Sequence, residues 1–409
     1  MINKIKLSQF RNYESQEIKA GPGINVIFGD NAQGKTNILE AIYLCACARS
    51  HRTAKDSDLI LKAKDQYSVK LDFECQNGSN ESIEIRYLEA LNGDPQRTRS
   101  IRQIYHNDLK LERIGDLMGL FHAVIFAPED LMLIKEGPST RRRYLDLIIS
   151  QINPGYFIHL QQYARILTQR NKLLKELREK GYGRNKKLTE ALILQLSVWD
   201  DALEKEAAAV IQKRQQYVQR INQIANDAQK NISSGKEKLN VKYKTVSGIN
   251  ANDSRDQITS RFHKKLKLMI YEDIEKGLTQ IGPHRDDLEL TLNGSSLKPY
   301  ASQGQQRSVA LSLKLAELNL ISEETGEMPV LLLDDVMSEL DENRRTSLLN
   351  YICKAQVFVT CTDANQVVKS ITELKRSDDG NNVNQDQKWS FYHVNQGQVK
   401  AMDKLSEYE

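Results

Sequence analysis

The 409 residues, 40% hydrophobic and 27% charged, suffice for two or three domains or for one large head with an insertion. No apolar run approaches the roughly 20 residues of a membrane helix, and Met1-Ile-Asn-Lys-Ile-Lys leads into a strand pattern instead of a signal peptide's apolar core, so a cytoplasmic location with no membrane partner is expected. The net charge of +4 permits nucleic acid as a partner without requiring it, and five cysteines without paired CxxC spacing (Cys45, Cys47, Cys75, Cys353, Cys361) indicate neither a disulfide framework nor a zinc site.

Short strands dominate the N-terminal third. Lys4–Leu7, Ile24–Phe28, Ser68–Phe73, Ser82–Tyr87 and Ala123–Phe126 are separated by Gly, Asn and Asp turn signals, and two of them alternate around Gln76-Asn-Gly-Ser as an antiparallel hairpin would. Between Ile24–Phe28 and a helical pattern from Asn37 to Cys47 stands Gly29-Asp-Asn-Ala-Gln-Gly34-Lys35-Thr36, which satisfies GxxxxGK(S/T) in its required context. Glycines let backbone N–H groups close around phosphate oxygens, the helix N-terminus adds a favourable dipole, Lys35 reaches the β and γ phosphates, and Thr36 offers a hydroxyl to magnesium.

From Pro154 to Asn231 the chain reads as helix. One stripe holds Phe157, Leu160, Ala164, Leu167 and Leu174; another holds Leu192, Leu196, Trp199, Leu203, Val210, Tyr217, Ile221 and Ile224. Gly181-Tyr-Gly183 between them predicts a short antiparallel helical hairpin. Further on, the apolar runs Val330-Leu-Leu-Leu and Val357-Phe-Val predict parallel strands buried on both faces, and Trp389–Val394 a last strand after a polar surface loop at 376–388. The first of these runs ends in Asp334-Asp335, which alone would suit a helix cap or turn, but which after a phosphate loop read as carboxylates that a strand end delivers toward magnesium and an attacking water. Ser302-Gln-Gly304 opens a helix carrying Leu311, Leu315 and Leu318 on one face, with Ser302 as its cap.

The order of phosphate loop, long insertion, Ser302-Gln303-Gly304-Gln305-Gln306, paired acids and Ser338-Glu-Leu-Asp341 resembles the ABC-type ATPase head. Leu7-Ser-Gln-Phe-Arg11-Asn-Tyr13, Ser50-His-Arg52, Pro128-Glu-Asp-Leu, Gly137-Pro-Ser-Thr-Arg-Arg-Arg-Tyr-Leu-Asp146, Gly282-Pro-His-Arg-Asp-Asp287 and Tyr300–Ser308 are similar, in order and spacing, to the RecF family of bacterial recombination mediators over nearly the whole chain. The resemblance implies an α/β head with a mixed central sheet (1–128 and 280–409) interrupted by a helical arm (129–279). It implies ATP and Mg2+ as cofactors, Lys35, Asp334 and Asp335 as catalytic residues, and Thr36 and Asp334 as metal ligands. Gly29, Asn31, Gly34, Lys35, Thr36 and Asn37 would hold the nucleotide, Arg11 would lie near its base or, alternatively, make a strand-edge salt bridge, and Ser302, Gln303, Gly304 and Gln305 would reach the ATP of a second copy in an ATP-dependent homodimer. Double-stranded DNA, RecR and RecO are the implied partners. Asp335 stands where many ABC enzymes have Glu, and Thr360-Cys-Thr362 lies where many have His, so slow hydrolysis is expected; Glu129 or Asp130 occupies the region of the missing Q-loop glutamine.

Three basic groups offer phosphate contacts: the nine Lys or Arg of 165–187, Arg141-Arg-Arg143, and Arg97, Arg99 and Arg102. Arg141 and Arg142 have the alternative of an internal role. His51 and His284 lack Cys or His neighbours at ligand spacing and are expected to be structural.

Overall fold

A computed structural model describes residues 1–90, 99–183, 186–337, 341, 344–346, 348, 352, 354–365, 367–369, 372 and 388–402. Arg97, Arg184, Cys353, Ser338, Glu339, Leu340 and the predicted loop at 376–387 lie outside them. The chain divides into two compact units, Met1–Leu131 with Asp227–Glu237 and Gln303–Glu409, and Met132–Asn226 with Lys238–Ser302.

The first unit begins with β1 (Ile2–Phe10), β2 (Tyr13–Lys19), β3 (Ile24–Phe28), α1 (Lys35–Cys47), β4 (Gln66–Glu74), β5 (Asn80–Leu88), β6 (Ile101–His106), β7 (Leu109–Lys110) and β8 (Ala123–Phe126). Six of these strands form an antiparallel sheet in the order β2-β1-β4-β5-β6-β7. Its patterning is that of a sheet with one face covered: in β4, Tyr67, Val69, Leu71 and Phe73 are buried while the residues between them are not. A register shift between Ile2 and Lys4 breaks strict alternation, which lets both Ile2 and Ile5 point inward. The hairpin expected around Gln76-Asn-Gly-Ser is the β4–β5 pair.

The second unit follows with α2 (Met132–Lys135), α3 (Pro138–Ile152), α4 (Pro154–Glu179), α5 (Glu190–Ile232), β9 (Leu239–Lys244), α6 (Arg255–Lys276), β10 (Asp287–Leu292), β11 (Ser295–Ser296) and α7 (Leu297–Tyr300). The last turns of α5, from Asp227, belong to the first unit. Pro138 and Pro154 sit in the first turns of their helices, where a missing N–H costs nothing, and the Asn153 side chain accepts from Tyr156 N–H at 3.0 Å. Gly181 and Gly183, at φ of 80° and 107°, make the reversal between α4 and α5. This unit continues to Ser302 instead of ending at 279, because β10 and β11 complete a three-stranded sheet with β9 and β10 packs against α3.

The stripe on α5 is as expected at Leu196, Leu203, Val210, Tyr217 and Ile221, all buried. The stripe on α4 is not. Its buried face is Tyr156, Tyr163, Arg170, Leu173, Leu174 and Leu177, leaving Phe157, Leu160 and Leu167 half-buried and Ala164 exposed. The reason is Arg170, a cation in mid-stripe that is wholly buried because Asp200 and Asp273 each meet it at 2.7 Å.

The first unit resumes with α8 (Gln303–Thr325), β12 (Val330–Asp334), β13 (Val357–Cys361), β14 (Trp389–Asn395) and β15 (Gln398–Met402). These strands join β3 and β8 in a mixed sheet ordered β15-β14-β3-β13-β12-β8, parallel throughout except at the β15 edge. Residues of β3, β12 and β13 are buried without alternation, as strands covered on both faces require. Helix α8 is apolar nearly all round from Val309 to Ile321; its buried Lys314 is paired with Glu317 one turn on, at 2.5 Å. The carboxyl ends of β3, β13 and β12 come out side by side.

Candidate nucleotide-binding site

Phe28 ends β3, and the chain turns at Gly29 and Gly34, with φ of 144° and 114°. A Cβ at Gly29 would stand 2.4 Å from the Val394 carbonyl, and one at Gly34 would stand 2.5 Å from the Asn12 amide, so neither position tolerates a side chain. Asn12 shapes the loop from outside. Its Nδ2 donates to the Gln33 carbonyl at 2.7 Å, its Oδ1 accepts from Asn37 Nδ2 at 2.8 Å, and Tyr13 O–H donates to the Gly34 carbonyl at 2.9 Å. From the β14–β15 turn, Gln396 N–H donates to Gln33 Oε1 at 2.7 Å.

Inside the loop Lys35 Nζ donates to the carbonyls of Gly29 and Asp30 at 2.6 and 2.7 Å. Burial lowers its pKa, against the raising influence of Asp335, Cys361, Asp30 and Asp334. Thr36 Oγ1 donates to Asp334 Oδ1 at 2.8 Å across a sequence separation of 298. Asn31, Ala32, Gly34, Lys35, Thr36, Asn37, Arg52, Asp334, Asp335 and Thr360 line a polar cavity of about 350 Å³. Its glycine cradle, single lysine and hydroxyl–carboxylate pair suit a triphosphate with a hard cation, since oxygen donors are what magnesium takes.

Of the residues expected here, Asn31, Gly34, Lys35, Thr36, Asn37, Asp334 and Asp335 line this one cavity. Arg11 does not. Its Nε and Nη2 each donate to Glu40 at 2.7 Å and its Nη1 to the Asp58 carbonyl at 2.7 Å, so the guanidinium neutralises a fully buried carboxylate. Burial works against Glu40's charge, yet Arg11 and Ser50 hold its pKa below the ordinary value. Arg52 stands on the cavity wall instead, donating to Asn37 Oδ1 at 3.2 Å. Arg52 belongs to Ser50-His-Arg52, outside the nucleotide-loop pattern, and its spacing carries no signal of a place on this wall.

Gln303, Gly304 and Gln305 are not among the cavity walls. Ser302, Gln303 and Gly304 are exposed where α8 begins. Behind them Arg344 Nη2 donates to the Gly304 carbonyl at 2.7 Å and to Ser308 Oγ at 2.9 Å, and Gln305 Nε2 donates to Glu237 Oε1 at 2.9 Å. Asp130, in the Q-loop region, accepts Ala127 N–H at 2.9 Å, and burial pushes its pKa up to about 6.

The basic groups separate into spent and unspent charge. Arg141 makes a two-pronged pair with Asp287 at 2.7 and 2.9 Å, Arg142 donates to the Asp286 carbonyl at 2.6 Å, and Arg102 meets Asp56 at 3.2 Å. Arg170 is the buried cation of α4. By contrast Arg165, Lys172, Lys175 and Lys180 are exposed and have no ion pair among the described residues. His284 is structural: its Nε2–H donates to the Thr279 carbonyl at 3.0 Å, its Nδ1 accepts from Tyr163 O–H at 2.6 Å, and burial lowers its pKa to about 4. His51 packs edge-on against Tyr43.

Residues 1–382 match the family model described as RecF/RecN/SMC N terminal domain. A DNA replication and repair protein RecF from Acetivibrio thermocellus is 43% identical over 362 residues, covering 88% of this chain and 93% of that one. The chain belongs to the RecF family. A solved structure of the recombination mediator RecF with ATP shares its fold along 98% of this chain and 99% of its own, at 34% identity and a TM-score of 0.82. At the level of fold alone, the Smc head domain of Pyrococcus furiosus matches along 100% of this chain and 97% of its own, at 16% identity and a TM-score of 0.50. Among the described residues no helix is long and apolar enough to cross a membrane.

Proposed function

We propose that this chain is an ATP-dependent clamp on double-stranded DNA in recombinational repair, two copies of which close on ATP and open as it is slowly hydrolysed. The reading rests on one observation, the 2.8 Å bond from Thr36 to Asp334, which brings together two motifs from opposite ends of the chain around the cavity that holds Lys35 and Asp335. Lys35 binds the β and γ phosphates, and the N-terminus of α1 faces them. Thr36 and Asp334 would hold magnesium, which supplies charge neutralisation on the phosphates. Asp335 orients the attacking water, and Arg52 adds a second cation at the wall.

Ser302, Gln303 and Gly304 serve the nucleotide of a second copy, a role favoured by their exposure and by the absence of Gln303 and Gly304 from their own cavity. Arg165, Lys172, Lys175 and Lys180 neutralise DNA phosphates, giving binding that weakens with salt and ignores sequence. The related RecF structures are described within a RecFOR pathway, and RecR and RecO are the proposed partners in loading recombinase at single-strand gaps. Solution mass with and without ATP tests the clamp. The chain doubles in mass with ATP, and Ser302→Arg, which puts a bulky cation at the proposed contact, stays monomeric while still binding nucleotide. Normal dimerisation of that variant rejects the arrangement.

A further inference from the structure

We infer that Thr360 is a positioning residue of the nucleotide site, its single hydroxyl locking Asp334 and Asp335 into their working orientations. The inference rests on the proposed ATPase reading and assigns a device within that site. Strand β13 carries neither the phosphate loop nor the paired acids, yet it lies between the two strands that do: Thr360 is in register with Ile27 on β3 and with Asp334 on β12. Every other residue of β13 before it is apolar, and Thr360 itself is 1% exposed. A valine would fit that run equally well, and a buried hydroxyl costs stability unless it is bonded.

Thr360 is bonded on both sides. Its Oγ1–H donates to Asp334 Oδ1 at 2.7 Å, and the same oxygen accepts the Asp335 N–H at 3.0 Å. Because the hydroxyl has one proton, donating it to the carboxylate turns its lone pairs to the amide, so the two bonds reinforce each other. The N–H of Asp335 is thereby fixed at a residue whose φ is 52°, in the left-handed region that few residues with a Cβ adopt. Asp334 Oδ1 receives a second hydroxyl from Thr36. The chain of contacts therefore runs from the phosphate loop through the proposed metal carboxylate to the backbone of the proposed water-orienting acid. Thr362, the other threonine of the segment, is exposed.

Thr360→Val keeps the shape and removes the hydroxyl; Thr360→Ser restores it. With ATP and Mg2+, Thr360→Val is expected to lower kcat at least about tenfold with KM within about threefold, and Thr360→Ser to stay within about threefold of the parent in both. In the nucleotide-free chain, amide exchange in the peptide covering 330–337 should speed up in Thr360→Val and not in Thr360→Ser. Anisotropy of a fluorescent ATP analogue should give all three proteins the same affinity with EDTA and affinities within about threefold of one another with Mg2+, so that the loss in Thr360→Val lies in turnover. If Thr360→Val does not fold, Thr360→Ala against Thr360→Ser makes the same comparison, one hydroxyl apart. Parent-like kcat and exchange in the hydroxyl-free variant overturn the inference while leaving the ATPase reading standing. A parent chain that neither binds nor hydrolyses ATP removes that reading and the inference with it.

Discussion

Buried cations are treated in opposite ways in the arm and at the phosphate loop. In the arm, Arg214 is 2% exposed and meets Asp146 at 2.9 Å, Asp286 at 3.2 Å and the Pro283 carbonyl at 2.7 Å, with Tyr156 O–H at 3.0 Å from its Nε. Arg170 is enclosed in the same way. At the phosphate loop, Lys35 is buried too, but its hydrogen bonds go to two neutral carbonyls, and the carboxylates act on it only at longer range. A cation matched by carboxylates at contact distance holds helices together and has no charge to offer outside. A cation resting on carbonyl dipoles keeps a charge that can act across a cavity. Arg141-Arg-Arg143 and Gly282-Pro-His-Arg-Asp-Asp287 read strongly as motifs for a reason internal to the arm: Arg141 takes Asp287 as its counter-charge, and Arg142 ties down the Asp286 carbonyl.

The most damaging change should be Arg214→Ala, which strands Asp146 and Asp286 in a buried setting; a loss of about 3–5 kcal/mol is expected in urea unfolding. Lys35→Met breaks the comparison from the other side. It should abolish ATP binding by calorimetry while leaving the nucleotide-free melting temperature within about 2 °C, because no counter-charge in contact is lost. An equal loss of stability in both variants would erase the distinction drawn here.

A pH titration sharpens it. His284 has a folded pKa of about 4 against an ordinary 6.5, so between those values the unfolded chain binds more protons and stability rises with pH. Acidification from pH 6.5 toward 4 should therefore cost up to about 3 kcal/mol, and His284→Gln should flatten that part of the curve. The smallest effect belongs to Arg52→Ala, an exposed cation at the cavity wall. ATP affinity should weaken about three- to tenfold, roughly 1 kcal/mol, with folding unchanged.

Local chemistry made much of the site legible. A glycine-rich turn between a buried strand and a helix has few uses other than phosphate binding, and a run of four apolar residues ending in two acids can only bring those acids to a strand end. Arg11 and Arg52 show where that reasoning stops. Both lie in recognisable motifs and both face Glu40, a buried carboxylate on α1, but Arg11 holds it with two bonds at 2.7 Å while Arg52 stays 3.9 Å away and lines the cavity, a difference no spacing rule announces. Arg170 misled the α4 stripe for the same reason, since its partners come from α5 and α6. Asn12 and Tyr13 were visible as motif letters, but their task of holding the loop through the carbonyls of Gln33 and Gly34 is a matter of packing.

The amino-acid order alone settled what is local and covalent: the turn that only glycine can make, the burial of β3, β12 and β13 through their unbroken apolar runs, the reversal between α4 and α5. Tertiary structure decided everything that needs a partner distant in the chain. It chose which charges are cancelled and which remain, and it set Thr360 between Asp334 and the phosphate-loop strand. Strand order in a parallel sheet is not written in any one strand; it follows from how the crossovers pack, and the chemistry at the sheet's carboxyl edge follows from that order.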